Sequence, residues 1–272
     1  MTDATVAFVG RVPEHYDRYL TPLLFDPFAE DLVGRLAVRD GMRVLEVGCG
    51  TGIVTRRLVA RLAGRGDVVA TDLNEAMLAH ARTRLPDPGG VTWRQADATR
   101  LPFEPGTFDA VLCQFAIMFF PDKAAGAREA FRVLKPGGAW LFNAFDALEH
   151  NPIQRLAHET IAAFFPADPP RFYTVPFGYH DTGVIEALLR DAGFEDVRCE
   201  RVAKEGTSPS AEEAAIGLID GNPVVGEIVQ RRPDALGEIR AAVAARLARE
   251  LGDRPVRGPL RAVVATARRP AP

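Results

Sequence analysis

The densest chemistry in the chain lies in Val44-Leu-Glu-Val-Gly-Cys-Gly-Thr-Gly52. A branched apolar run ending in alternate glycines lets backbone approach a ligand with no Cβ between them. The helix that follows offers unpaired amides to an anionic group. That much would suit a dinucleotide, whose fingerprint is Gly-x-Gly-x-x-Gly. With Gly48 and Gly50 as its first two glycines, however, the third position falls at Ile53. Glu46 ends the strand, and a carboxylate there repels a pyrophosphate while suiting the ammonium of a methionine moiety. The comparison decides against a nicotinamide cofactor.

Two further carboxylates share the same placement. Asp72 ends a second apolar run, Asp67-Val-Val-Ala-Thr-Asp72, about 20 residues beyond the glycines. From there it can accept hydrogen bonds from both hydroxyls of a ribose, a need common to NAD and S-adenosylmethionine. Asp97, in Gln95-Ala-Asp-Ala-Thr99, follows a third run. Beside small Ala98 it offers an acceptor for the exocyclic amine of adenine. Acidic groups at the carboxyl ends of three successive strands define one crevice, where an open parallel sheet binds its ligand.

The elements that position these groups alternate in type. Strands are read at 43–47, 67–72, 91–95, 108–113 and 139–143. Helices lie between them: one from the 48–52 turn to about Ala63, one capped by Asn74 and carrying Met77 and Leu78, and one begun by Asp122. This spacing predicts an α/β fold, a doubly wound, mostly parallel seven-stranded sheet with an α-helical cap. The last two strands are read at 194–202 and 260–266. Before the first strand, Asp26-Pro27 starts a helix closed by Gly41.

The regularity breaks after residue 145. An amphipathic helix spans about 152–165, followed by a loop rich in proline and aromatic residues, 165–180. Asp181 caps another helix. Residues 208–252 read as entirely helical, with Ser210 and Glu213 as a capping box and Leu236, Ile239, Val243, Leu247 and Leu251 as one apolar stripe. That stripe serves either internal packing or a dimer contact. The expected organisation is a helical cap segment at 1–40, a cofactor-binding core at 41–145, a cap insertion at 146–180, more core at 181–207, a helical insertion at 208–256 and a final core strand at 257–272.

A net charge of −3, with 33 basic and 36 acidic residues interspersed, gives no electrostatic footprint for a phosphate backbone. The expected partner is a small-molecule substrate, not nucleic acid or membrane, for a monomer or homodimer. The N-terminus lacks a basic flank before an apolar run, and no apolar stretch approaches membrane-spanning length. The three cysteines, Cys49, Cys113 and Cys199, form no Cys-x-x-Cys pair. Free thiols in a cytoplasmic protein without a bound metal are the expectation.

Val44–Gly52, Thr71-Asp-Leu-Asn74, Gln95-Ala-Asp-Ala98, Val111-Leu-Cys-Gln-Phe115 and Arg132-Val-Leu-Lys-Pro-Gly-Gly138, in that order, resemble the motif set of class I S-adenosylmethionine-dependent methyltransferases. The resemblance covers about residues 40–145. Glu14-His-Tyr-Asp-Arg-Tyr19 is more loosely similar to the leading helix of the quinone- and polyketide-modifying branch. The family pattern implies that Gly48, Gly50 and Gly52 line the cofactor, Asp72 holds its ribose and Leu73 packs on adenine. It further implies that Asp97 and Ala98 read the adenine edge and that Gln114 and Phe115 flank the sulfonium. Cys49, Thr51 and Met77 join the candidate set with Glu46. Tyr16 and Tyr19 are either packing residues or contacts to the cofactor's carboxylate.

Methyl transfer from a sulfonium needs an in-line approach more than a universal catalytic side chain. His15, His150, His158, His180 and Tyr173 are the weak candidates for a base. Gln114-Phe-Ala-Ile117 departs from the Asp/Asn-Pro-Pro-Tyr arrangement of adenine and glutamine N-methyltransferases, which argues against nucleic-acid bases and translation factors. Phe164, Phe165, Phe172, Tyr173, Phe177 and Tyr179, with Phe119 and Phe120, either enclose an apolar or aromatic acceptor or form plain core. The alternative function is a methyltransferase-like protein that binds the cofactor without transferring methyl.

Overall fold

A computed structural model describes residues 8, 10–86 and 89–271. The ends of the expected N-terminal and C-terminal segments, residues 1–7, 9 and 272, therefore lie outside the described residues.

Seven strands form one sheet in the order β3-β2-β1-β4-β5-β7-β6. They are β1 (Met42–Val47), β2 (Gly66–Asp72), β3 (Val91–Gln95), β4 (Phe108–Gln114), β5 (Leu134–Phe145), β6 (Glu195–Ser208) and β7 (Val256–Arg268). The first five strands run parallel, and β7 is antiparallel to both its neighbours. The chain order reverses between β1 and β4, so a crevice opens at the carboxyl ends of those strands.

Side chains alternate across the sheet. Leu45 and Val47 enter the larger core, while Val44, Ala110 and Leu112 enter a second one beneath α2 (Asp26–Gly34) and α3 (Ile53–Leu62). Helix α4 (Glu75–Arg84) has Asn74 at its N-cap, but the Asn74 side chain makes no cap bond. Asp122 does cap α5 (Lys123–Val133), accepting from the Ala125 amide at 2.8 Å.

Three strands are longer than the sequence pattern indicates. β5 begins at Leu134, which pairs with Phe108 before a register shift, so the Lys135-Pro-Gly-Gly138 segment lies within the strand rather than ahead of it. β6 and β7 pair antiparallel from Glu195↔Arg268 to Ser208↔Val256. This ladder runs beyond the apolar runs 194–202 and 260–266, and its far end is buried at alternate positions, with Ser208, Val256 and Leu260 inside. Helices α8 (Ala211–Asp220), α9 (Val224–Arg231) and α10 (Leu236–Leu251) fill the connection between the paired ends. Ser210 accepts from the Glu213 amide at 3.1 Å, as a capping box requires. Ile239, Val243 and Leu247 are fully buried, so the central part of the α10 stripe is spent inside the chain.

The N-terminal arm crosses the carboxyl ends of the strands as α1 (Val12–His15), a π-helical stretch Tyr16–Phe25, and α2. Helix α2 thus stops at Gly34, short of Gly41. Pro22 has no N–H to give to a tight α-helical ladder, and the wide turn closes instead with the Asp26 amide bonding the Thr21 carbonyl. The arm presses on α8 at Gly217, where a Cβ would stand 2.8 Å from the Cβ of Tyr19. It is anchored electrostatically by Asp17. That carboxylate, 8% exposed, reaches Arg84 at 2.8 Å, His80 at 3.2 Å and Arg56 at 3.6 Å.

Candidate active site

The cleft at the strand ends encloses about 1120 Å³, including its open mouth. Its walls fall into two sets by element. The strand ends supply Gly48, Gly50, Asp72, Leu73, Asp97 and Ala98, with Met77 from α4. The other set comes from the arm, from the segment after β4, from the end of β5, from α6 (Pro152–Ala163) and from the 172–177 loop.

On the first side, the glycine turn is built for close approach. Gly48 has φ +69°, and a Cβ there would stand 2.3 Å from the Ala116 Cβ, so the turns after β1 and β4 pack backbone against backbone. Asp72 is 8% exposed and fixed by two amides: Gly50 N–H donates to Oδ2 and Asn74 N–H to Oδ1, both at 2.8 Å. Burial raises its pKa, opposed by those hydrogen bonds. Each carboxylate oxygen keeps further acceptor capacity. Leu73 is 48% exposed on the rim. Asp97 turns its Oδ1 to the Thr99 amide and hydroxyl, at 2.8 and 2.7 Å.

On the second side, rings form a continuous run. Tyr16 stacks on Phe25 at 4.8 Å, Phe25 meets Phe115 at 5.7 Å, Phe115 stacks on Phe145 at 4.1 Å, and Phe145 on Phe177 at 4.9 Å. Phe115 enters the cleft because its backbone is left-handed, φ +50°. For a non-glycine residue that costs of order 1–3 kcal/mol. Buried Asn143 fixes the turn by accepting from the Phe115 amide at 2.9 Å. The Tyr16 phenol is raised far above its ordinary range by burial and by the nearby carboxylates of Asp72 and Asp17.

The comparisons with known proteins match this geometry. A methyltransferase-domain family model covers residues 44–138. The ubiquinone/menaquinone biosynthesis C-methyltransferase UbiE of Ectopseudomonas mendocina is 36% identical over 188 residues, 64% of this chain and 72% of that protein. The chain belongs to the class I S-adenosylmethionine-dependent methyltransferase family. The UbiE of Shewanella frigidimarina is 33% identical over 174 residues, 59% of this chain and 69% of that protein. The Haemonchus contortus phosphoethanolamine N-methyltransferase 2, solved with S-adenosyl-L-methionine, aligns with a TM-score of 0.64 at 18% identity. It covers 99% of this chain and 60% of that one, a likeness of fold. S-adenosyl-L-methionine is the methyl donor of the family.

Not every residue expected at this methyltransferase's site reaches the cleft. Glu46 is not among the lining residues, and its carboxyl accepts from Thr55 Oγ1 of α3 at 2.5 Å. Cys49, Thr51 and Gly52 lie in the turn but not on the cleft wall. Cys49 is buried, and burial with the carboxylates of Glu46 and Asp72 pushes its thiol up, which disfavours the reactive thiolate. Tyr19 faces away and stacks on His15 at 5.9 Å.

None of the candidate histidines lines the cleft. His15 faces a separate groove between α1, α8 and α10. His150 pairs with Asp146 at 3.0 Å, and His180 bonds the Phe177 carbonyl through Nδ1 at 2.8 Å. His158 sits against Tyr173, with burial lowering its pKa. Tyr173 does line the cleft, but its hydroxyl donates to the Leu218 carbonyl at 2.7 Å and burial raises its pKa. Its hydroxyl is structural in this arrangement. Phe119, Phe120, Phe172 and Phe177 line the cleft, whereas Phe164, Phe165 and Tyr179 do not.

Sequence reasoning missed Phe8, Phe25, Phe145, Gln154 and Asn222, all on the wall. Only Gln154 carried a signal, as a polar residue inside the buried stripe Ile153, Leu156, Ala157 and Ile161. Among the described residues no Lys, Arg or His lines the cleft, and no cluster of three metal-ligating side chains is present. No helix of the described residues is long and apolar enough to cross a membrane.

The buried Glu46 yields a pH prediction. Burial pushes its pKa up to about 8. The folded chain keeps the proton that the unfolded chain surrenders near the ordinary glutamate value, so stability falls as pH rises from there to about 8 and is flat above. Glu46→Gln carries no such proton. Its stability advantage over the parent is expected to widen to about 1–3 kcal/mol between about pH 5 and pH 8, then stay constant. Denaturant unfolding of both chains across that range checks this, and parallel curves would refute it.

Proposed function

We propose that this methyltransferase moves a methyl group from S-adenosyl-L-methionine to a small, neutral, aromatic or apolar acceptor. The observation that carries the reading is the cleft's division into a glycine and carboxylate side and an uncharged ring-lined side. The strand-end residues suit the donor. Beyond Gly50 a Cβ would meet only the Met77 methyl, at 3.7 Å, so a side chain there would protrude into the cleft. Asp72 has acceptor capacity for ribose hydroxyls, Leu73 offers an apolar face for adenine, and Asp97 with Ala98 offers an acceptor edge for its amine. Gln114, Phe115 and Tyr16 close the space between the two sides.

When bound, the donor supplies a methyl whose bond to sulfur breaks with its electron pair going to sulfur, as the acceptor forms the new bond. The protein's contribution is to hold the acceptor in line and exclude water. With the lining titratable groups limited to Asp72, Asp97, Tyr16 and Tyr173, an acceptor that is already electron-rich fits best. A phenolic ring carbon meets that need: a ring π pair forms the new carbon–carbon bond, and the proton on that carbon leaves to solvent as the product departs. The activity for which the relatives are named, C-methylation in ubiquinone and menaquinone biosynthesis, supports a ring acceptor. A phosphorylated amine, as in the Haemonchus contortus neighbour, finds no cation on these walls.

The test is methyl transfer from radiolabelled S-adenosylmethionine to a panel of phenols, quinols and amines, alongside calorimetric titration with S-adenosylhomocysteine. Label is expected in the neutral ring compounds. Absence of S-adenosylhomocysteine binding to folded protein would overturn the assignment, and binding without transfer to any ring would reduce the chain to a cofactor-binding module.

A further inference from the structure

Gln154, in the first turn of α6, is 1% exposed, and neither its Oε1 nor its Nε2 has a hydrogen-bond partner. Its side chain lines the ring-walled side of the cleft with Phe145, Tyr173, Phe177 and Asn222. Buried carboxamides are nearly always satisfied, because water is lost to them on folding and nothing replaces it.

The other amides on this wall are engaged. Asn222 Nδ2 donates to the Leu218 carbonyl at 3.1 Å, and Gln114 donates to the Phe25 carbonyl at 3.2 Å. Among the described lining residues, Gln154 alone has a buried polar side chain left unmatched.

We propose that Gln154 is the residue that recognises the methyl acceptor, and that the acceptor is a neutral planar ring bearing an adjacent hydrogen-bond donor and acceptor. The proposal rests on the methyltransferase reading above. A carboxamide presents one acceptor oxygen beside a two-hydrogen donor nitrogen, so its complement carries both polarities side by side. An aromatic carboxamide or an ortho-hydroxycarbonyl ring does so, and its faces suit Phe145 and Phe177. An anionic ring does not, since Gln154 offers half its edge as an acceptor and, among the described residues, no Lys, Arg or His lines the cleft. A site built to bond such a pair strongly disfavours an analogue that lacks it.

Salicylamide serves as the probe, with salicylate as its anionic counterpart and toluene as its apolar one, each titrated in saturating S-adenosylhomocysteine. Wild-type protein is expected to bind salicylamide at least tenfold more tightly than either counterpart. Gln154→Leu is expected to lose at least tenfold in salicylamide affinity, keep S-adenosylhomocysteine affinity within twofold, and melt at a higher temperature, since an unmatched amide has been removed. A Gln154 held for packing alone would lower the melting temperature and leave the probe unaffected. Gln154→Glu, of equal size but without the donor, is expected to show the same probe loss should the leucine variant fold poorly. Equal salicylamide affinity in wild type and variants, or no preference for salicylamide in wild type, overturns the proposal. Failure of wild type to bind S-adenosylhomocysteine overturns the methyltransferase reading instead.

Discussion

Gly48→Ala is expected to unfold at markedly lower denaturant concentration than the parent and to lose measurable S-adenosylhomocysteine binding. Two independent costs meet at this position. The φ of +69° lies in the left-handed region, which penalises a Cβ by about 1–2 kcal/mol. The added methyl would also stand 2.3 Å from the Ala116 Cβ, on a turn that Asn143 and the left-handed Phe115 hold in place. Relieving the clash requires backbone movement, for which overpacking of a filled site costs about 1–3 kcal/mol. The combined loss is about 2–5 kcal/mol. Equilibrium unfolding measures it, and a Gly48→Ala, Ala116→Gly pair separates the parts. The pair should recover the steric share and keep the conformational one. A single variant within about 0.5 kcal/mol of the parent would show that the two turns are not in contact.

Asp72→Ala is expected to raise the dissociation constant for S-adenosylhomocysteine by about 5–150-fold, from the 1–3 kcal/mol lost when buried polar groups lose a partner. The carboxylate does more than face a ligand. It ties the Gly50 amide in the turn after β1 to the Asn74 amide at the start of α4, so its removal loosens the turn that the donor must fit. Asp72→Asn tests the distinction. One of its side-chain atoms becomes a donor opposite a backbone donor, so it should disturb the turn nearly as much as alanine does despite its equal size. A binding constant unchanged in both variants would mean that the ribose is held elsewhere.

The first two strands were legible in the sequence because each carries a branched apolar run, followed by Gly48 in one and closed by Asp72 in the other. Asp97 was legible from its place just beyond β3, two residues after Gln95. Glu46 was legible as the acidic group near the end of β1, but its bond to Thr55 of α3 was not, because that partner is set by how α3 packs on the sheet. The histidines were hidden too, because each sits in a cap segment whose orientation depends on tertiary packing. Phe25 and Phe145 are far apart in sequence and meet only once the arm crosses the sheet. The far end of β7 was hidden because Arg257, Gly258 and Pro259 interrupt the apolar run between buried Val256 and Leu260, and in edge strand β6 only Gly206 and Ser208 are buried.

The arm that Asp17 anchors has a bearing on turnover. Its Tyr16 lies beside Asp72, and its Phe25 lies against Phe145 at 6.3 Å, so a single stretch of chain roofs both compartments of the cleft. On the proposed function, donor and acceptor would lie under that same stretch, so displacing the arm would open both compartments together. The contacts holding it are ion pairs from Asp17 to partly exposed Arg56, His80 and Arg84, so added salt is expected to weaken them.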